Sequence, residues 1–213
     1  MWQKRLIIQS SAHSISSVDD IALSRIISTV HLSTPADDPV MPSSEGVHLS
    51  YLKLALEEAR KCVPTPTAFC VGAVLTVGYP AEADPVVLAT GYSRELPGNT
   101  HAEANALAKA RALSSAERKG LLPALSPDTT IDDILAHADI YTTMEPCSVR
   151  TSGLAPCANA IVDARIRRCF IGVGEPDDFV KCEGAQRLRD AGVEVIWLKG
   201  LEQECLEVAR TGR

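Results

Sequence analysis

The sequence is poor in aromatic residues and carries no excess of positive charge. Of its 213 residues 4% are aromatic, and 21 Lys and Arg stand against 27 Asp and Glu, a formal net charge of -6. A broad footprint for nucleic-acid phosphates is therefore disfavoured, although a local basic groove is compatible with that balance. No uninterrupted apolar run approaches the ~20 residues of a membrane-spanning helix. Hydrophobic residues are not scarce, at 46% with 23% charged, which excludes a wholly disordered or fibrous chain. The length suits one domain with an appendage. Seven cysteines, an odd count behind no secretory leader, point to free or metal-bound thiols in a reducing, cytoplasmic setting.

Composition divides the chain. From Met1 to Val18 there are Lys4, Arg5 and several serines but no acidic residue, as in an organelle transit peptide or a plain N-terminal extension. Pro35, Pro39 and Pro42 with Asp37, Asp38 and the Ser43-Ser44 pair read as a linker. Residues 1–45 are thus an extension and 46–213 a single domain. Within it, Leu52, Ala55, Leu56 and Ala59 fall at helical spacing over residues 47–62, and Pro64 and Pro66 end that helix. The β-branched runs 71–77 and 85–91 flank Gly78, Pro80 and Asp84, predicting a hairpin. The alanine-rich stretch 101–119 predicts one helix. Residues 121–133, with Pro123 and Pro127, read as a surface excursion. Strands are expected at 138–143, 169–173 and 193–198, with helices at 156–164, 184–191 and 202–210. A hairpin followed by strands alternating with helices predicts an α/β fold, a three-layer α/β/α sandwich around a five-stranded mixed sheet.

Two segments carry chemistry. His101-Ala102-Glu103 opens a helix, and Glu145-Pro146-Cys147 precedes a second helix start at Ala155-Pro156-Cys157. Zinc favours imidazole nitrogen and thiolate sulfur, and a catalytic zinc keeps one position for water. His101, Cys147 and Cys157 supply three ligands and no obvious fourth. Helix N-termini favour thiolate over thiol. Glu103, two residues from His101, diverges from it on a helix and suits the role of general base and then acid. A structural four-ligand site would require a spare cysteine. The nearest is Cys169, in an apolar strand and read as core, and Cys62, Cys70, Cys182 and Cys205 are read as structural. Singly, His-x-Glu or Pro-Cys signals little. Together and in this order they match the His-x-Glu … Pro-Cys … Cys signature of zinc deaminases, though nine residues separate Cys147 from Cys157 where that signature has two.

The run Thr100-His101-Ala102-Glu103-Ala104-Asn105-Ala106-Leu107, followed by Tyr141-Thr142-Thr143-Met144-Glu145-Pro146-Cys147, resembles the cytidine deaminase-like superfamily. The closer resemblance is to the pyrimidine deaminases of riboflavin biosynthesis, whose bacterial members also lengthen the loop between the cysteines. The fungal form is the most similar, through residues 91–101 and 147–153. The resemblance runs from about Val47 onward and implies a cytidine deaminase-like fold, a Zn2+ cofactor and a phosphorylated 2,5-diamino-6-ribitylamino-pyrimidinone as substrate. It implies hydrolytic loss of an exocyclic amino group as ammonia, with Glu103 shuttling the proton. It also implies self-association, as a dimer. Bacterial relatives have Pro-Asn-Pro where this chain has Thr67-Ala68-Phe69, so the asparagine's role falls open there, with Thr67 among the candidate contacts. They also carry a reductase domain, for which the residues after Leu198 fall far short.

The long cysteine loop bulges outward and sets Ser148, Arg150 and Ser152 at the mouth of the site, where they suit a phosphate or polyol; Arg150 as a solvated loop charge is the plainer reading. Asn99 either contacts substrate or caps the helix. Glu145 is expected to support the helix start that follows it, and Arg165, Arg167 and Arg168 to form a solvated basic face. Two other functions stay open: deamination of a nucleoside or a transfer-RNA base, disfavoured by the net charge, and a non-catalytic subunit with structural zinc, which has no need of Glu103.

Overall fold

The computed structural model describes residues 44–79, 81, 83–150, 153–176 and 182–213, all within one unit of the chain that begins at Met41. The expectations for residues 1–43, an acid-free arm and a proline-marked linker, lie outside the described residues.

Five strands form one mixed sheet. They are β1 (Gly72–Val77), β2 (Val86–Tyr92), β3 (Ala138–Met144), β4 (Arg168–Val173) and β5 (Glu194–Trp197), in the order β2-β1-β3-β4-β5. Strand β1 pairs antiparallel with β2, as the hairpin reading expects, and also with β3. Strands β3, β4 and β5 run parallel. Parallel neighbours need long connections, and α5 (Cys157–Asp163) and α6 (Gly184–Asp190) provide them.

Side chains alternate across the sheet, and both faces are buried. Leu75, Ile140 and Ile171 pack against Leu107 of α2 (Ala102–Ala112), Ile161 of α5 and Leu188 of α6. On the other face Val74, Tyr141 and Phe170 meet Leu52 and Leu56 of α1 (Ser44–Ala59) and Cys205 of α7 (Glu202–Ala209). The expected three-layer α/β/α sandwich is what forms. Helix α1 lies so close to β1 that a Cβ on Gly72 would stand 1.9 Å from the Ala55 carbonyl oxygen.

Three expectations need correction. The helix read over 101–119 is two helices, α2 and α3 (Ser115–Leu121), because Ser114 starts a new one. Its hydroxyl accepts the Glu117 N–H while the Glu117 carboxylate accepts the Ser114 N–H, a capping box that outcompetes continuation of α2. The supposed excursion 121–133 is also mostly anchored. Thr130 and Asp133 form a second capping box at the start of α4 (Ile131–Leu135), and Leu122, Leu125, Ile134 and Leu135 are buried in the core beside α2. Helix α1 starts at Ser44, within the stretch read as linker. No described helix is long and apolar enough to cross a membrane.

The glycines give a stability test. Gly72→Ala forces a methyl into the α1 backbone and is expected to cost about 3 kcal/mol in urea unfolding. Gly120→Ala, in α3 where an added Cβ meets nothing, is expected to raise stability by about 0.5 kcal/mol through helix propensity.

Candidate active site

Strand register brings one set of strand ends together. Gly72 pairs with Tyr92, Ala73 with Thr142 and Met144 with Val173. The C-terminal ends of β2, β3 and β4 and the start of β1 therefore share one edge of the sheet, where open α/β sheets place ligands. The segments at that edge are residues 93–101, 145–147, 174–175 and 67–71.

His101 takes the N-cap position of α2 with extended backbone, φ -102 and ψ 156. Glu103 follows in the first turn and is 3% exposed. Helix α2 presses onto β2 because Gly91 has no side chain: a Cβ there would lie 2.3 Å from the Ala102 oxygen. Cys147 sits against the start of α5. The Cys157 N–H donates to Cys147 Sγ at 3.3 Å, and the Ala158 N–H donates to the Cys147 carbonyl at 3.2 Å. Both sulfurs stand 3.5 Å from His101 Nδ1. The three ligand atoms lie within 4.8 Å of one another, the one such group among the described residues.

The donor set fits zinc. A tetrahedral zinc bonded at about 2.05 Å to nitrogen and about 2.3 Å to sulfur holds those atoms about 3.5 Å apart, the spacing found here between Nδ1 and each Sγ. Cys169 lies in the core face of β4 and outside this group.

The electrostatics are those of a buried, shared proton. Hydrogen bonding to Cys157, and then to His101, pulls the Cys147 thiol from 9.0 down to about 4, against the cost of burial. The same contact with Cys147, with burial and the nearby Glu103 charge, pushes Cys157 well above an ordinary thiol. Burial raises Glu103, and the Cys147 charge adds to it. For His101 burial works downward, but the Cys147 hydrogen bond and the Glu103 charge together leave it raised.

A cavity of about 350 Å³ opens over these groups, and Thr67, Asn99 and Arg150 line it with His101, Glu103 and Cys147. Ser148 does not; it is buried, and its hydroxyl accepts the Glu183 N–H at 3.2 Å. Ser152 lies outside the described residues. Asn99 does not cap α2, whose N-cap is His101; instead its carbonyl oxygen accepts a hydrogen bond from the Arg150 guanidinium. Arg150 is accordingly no freely solvated charge. Glu145 supports a helix start, as expected, but that of α6 rather than α5: its carboxylate accepts the Ala185 N–H at 2.8 Å. Arg165 and Arg167 are exposed, as a solvated face requires, but Arg167 and the half-buried Arg168 also bind the buried carboxylate of Asp139. The sequence reading missed Phe69, Arg94, Met144 and Glu175 as cavity-lining residues. Glu175 had a usable signal, two residues past the end of a parallel strand.

The model of the cytidine and deoxycytidylate deaminase zinc-binding region matches residues 46–173. The chain is 37% identical over 195 residues to a diaminohydroxyphosphoribosylamino-pyrimidine deaminase of Schizosaccharomyces pombe, covering 92% of this chain and 42% of that protein. It is 31% identical over 150 residues to the riboflavin biosynthesis protein RibD of Aquifex aeolicus, covering 68% of this chain and 33% of that protein. This chain thus spans well under half the length of these curated relatives. Among solved structures, the Aspergillus oryzae Rib2 deaminase in complex with DARIPP, a C-terminal deletion mutant, superposes with a TM-score of 0.63 at 37% identity, covering 78% of this chain and 91% of that one.

The thiol pair supplies a pH test. In chelator-treated protein, alkylation of Cys147 by iodoacetamide is expected to change less than about threefold between pH ~6 and ~8, whereas an ordinary thiol speeds up roughly 75-fold. The sign follows from the lowered value, about 4, which leaves the sulfur as thiolate across that window. Mass spectrometry of the Cys147 peptide checks this, and added Zn2+ is expected to protect it.

Proposed function

The chain belongs to the cytidine and deoxycytidylate deaminase zinc-binding family, and from that membership we propose that it is a zinc-dependent aminohydrolase of riboflavin biosynthesis, acting on a phosphorylated 2,5-diamino-6-ribitylamino-pyrimidinone. The names of the S. pombe and RibD relatives support the pyrimidine class and the pathway. The Rib2 complex with DARIPP supports a small-molecule ligand. The single observation that carries the reading is the triangle of His101 Nδ1 and two cysteine sulfurs beside a buried carboxylate, with His101, Glu103 and Cys147 lining one cavity.

His101, Cys147 and Cys157 would hold the zinc. When bound, zinc supplies Lewis acidity, lowering the pKa of a coordinated water to about 7. Glu103 handles the proton. Its carboxyl is fixed in the first turn of α2, and burial raises it above the ordinary carboxylate range, which suits a group that takes a proton and returns it to the departing amino group. Ammonia leaves and a ring carbonyl replaces the amine. A cavity of about 350 Å³ lies within the range of small-molecule sites. Arg150, held at its rim by the Asn99 carbonyl, is the group for the substrate phosphate, with Thr67 and Asn99 as further polar contacts. A carboxylate buried in this position has no task in a purely structural metal site. A cytoplasmic location and pairing with a second copy complete the reading; they rest on free cysteines and on the family resemblance.

Ammonia release decides the matter. The zinc-loaded chain is expected to release ammonia from the diamino-ribitylamino-pyrimidinone phosphate and not from cytidine, deoxycytidylate or transfer RNA. Turnover of one of those instead overturns the substrate. Glu103→Gln is expected to keep about one zinc per chain while losing about a thousandfold in kcat; full activity in that variant removes the proton-shuttle role. Cys147→Ala is expected to lose both the metal and stability.

A further inference from the structure

Arg94 is an outlier in two respects. Its φ is +63, in the left-handed region that side chains other than glycine seldom occupy. Its charge meets no carboxylate among the described residues. Instead the guanidinium donates to three neutral acceptors on one segment: Nη1 to the Phe69 carbonyl at 3.2 Å, Nη2 to the Val63 carbonyl at 2.8 Å, and Nη2 to Cys70 Sγ at 3.5 Å. Its Nε is buried and has no hydrogen-bond partner among the described residues. Backbone strain of this kind persists where surrounding contacts over-determine the conformation.

The two segments that Arg94 joins both line the cavity, Thr67, Ala68 and Phe69 from one and Arg94 and Asn99 from the other. The Arg94 N–H donates to the Thr100 carbonyl at 2.7 Å, next to the metal-binding His101. The strained backbone thus fixes the approach to the ligand helix, and the side chain reaches back to hold the other lining segment. Ser93 reinforces the seam, its hydroxyl accepting the Val71 N–H at 3.1 Å. Losing the guanidinium takes these contacts from the Val63 and Phe69 carbonyls and the Cys70 sulfur, while the Cys70 N–H keeps its bond to the Ala209 carbonyl at 2.9 Å.

We propose that Arg94 is a positioning residue for substrate: its guanidinium staples the Val63, Phe69 and Cys70 segment to the turn that leads into His101, and so sets the width of the pyrimidine cavity. This rests on the deaminase reading for its kinetic readout but not for its structural one. A staple acts on binding of substrate more than on the bond-breaking step, which Glu103 and the metal ligands govern.

Zinc-loaded wild-type, Arg94→Ala, Arg94→Gly and Arg94→Lys chains provide the test. The alanine and glycine variants are expected to keep about one zinc per chain and to raise KM about tenfold, with kcat within about threefold. Cys70, 2% exposed in the native chain, is expected to be alkylated about tenfold faster in both, read by tandem mass spectrometry. Lysine, which reaches fewer acceptors, is expected to recover part of each effect. The glycine variant also relieves the positive φ, so a role in backbone conformation alone predicts no loss from it; that outcome overturns the proposal. A raised KM with unchanged Cys70 alkylation makes Arg94 a direct substrate contact and overturns it too, as does a loss confined to kcat. If the wild-type chain releases no ammonia from the pyrimidine, the substrate assignment fails while alkylation still judges the staple: faster labelling supports it and unchanged labelling overturns it. Should Arg94→Ala or Arg94→Gly not fold, Arg94→Lys carries both readouts.

Discussion

The site depends on one short contact, the Cys157 N–H donating to Cys147 Sγ at 3.3 Å. It places the first sulfur at the open end of α5, where unpaired N–H groups and the helix dipole favour negative charge. It also closes the nine-residue loop between the cysteines, so both sulfurs reach the same distance from His101 Nδ1. The third ligand arrives from another part of the chain, and its approach depends on Gly91, which lets α2 lie against β2. Gly184 does the same beside the cysteines. A Cβ there would stand 1.7 Å from the Pro146 oxygen, so α6 packs against the residue just before Cys147. Close backbone approaches, more than side-chain packing, set the triangle.

Strand β3 shows how structural and chemical tasks are separated along one element. At its start Asp139, 3% exposed, holds Arg167 and Arg168. A buried carboxylate is costly unless hydrogen-bonded and paired, and two guanidinium groups meet that requirement here. Just past its end Glu145 accepts the Ala185 N–H, binding the site edge to α6. Between them Ile140 and Tyr141 pack on opposite faces. The two carboxylates thus stand at opposite ends of the strand, one anchoring β4 and the other orienting the segment that leads to Cys147.

How much of this was legible in the sequence depended on the range of the interaction that decided each feature. The hairpin, the three later strands and the layered architecture follow from local periodicity, and they form as expected. The ligands were legible because zinc accepts few side-chain types, so His101, Cys147 and Cys157 stood out in any fold that could gather them. Some local signals were present and unread: Ser114 with Glu117 and Thr130 with Asp133 are spaced as capping boxes, and they split one expected helix and anchor the excursion. The substrate contacts were less legible because loop polar groups are claimed by distant partners. The Ser148 hydroxyl is taken by the Glu183 N–H and the Asn99 carbonyl by Arg150, contacts that no spacing rule predicts. Arg94 was hidden for the same reason, since its acceptors on Val63, Phe69 and Cys70 come from a segment 24 to 31 residues earlier.

Proton placement links the three candidate ligands to the Glu103 carboxyl. Cys157 holds its proton strongly because of its contact with Cys147 and its burial, with the neighbouring Glu103 charge adding to them. A cation that binds through both sulfurs must displace that proton, because only thiolates are ligands. A metal held by His101, Cys147 and Cys157 would take the place of the proton that Cys157 keeps, and would leave the Glu103 carboxyl to the electrostatics of the cavity it lines.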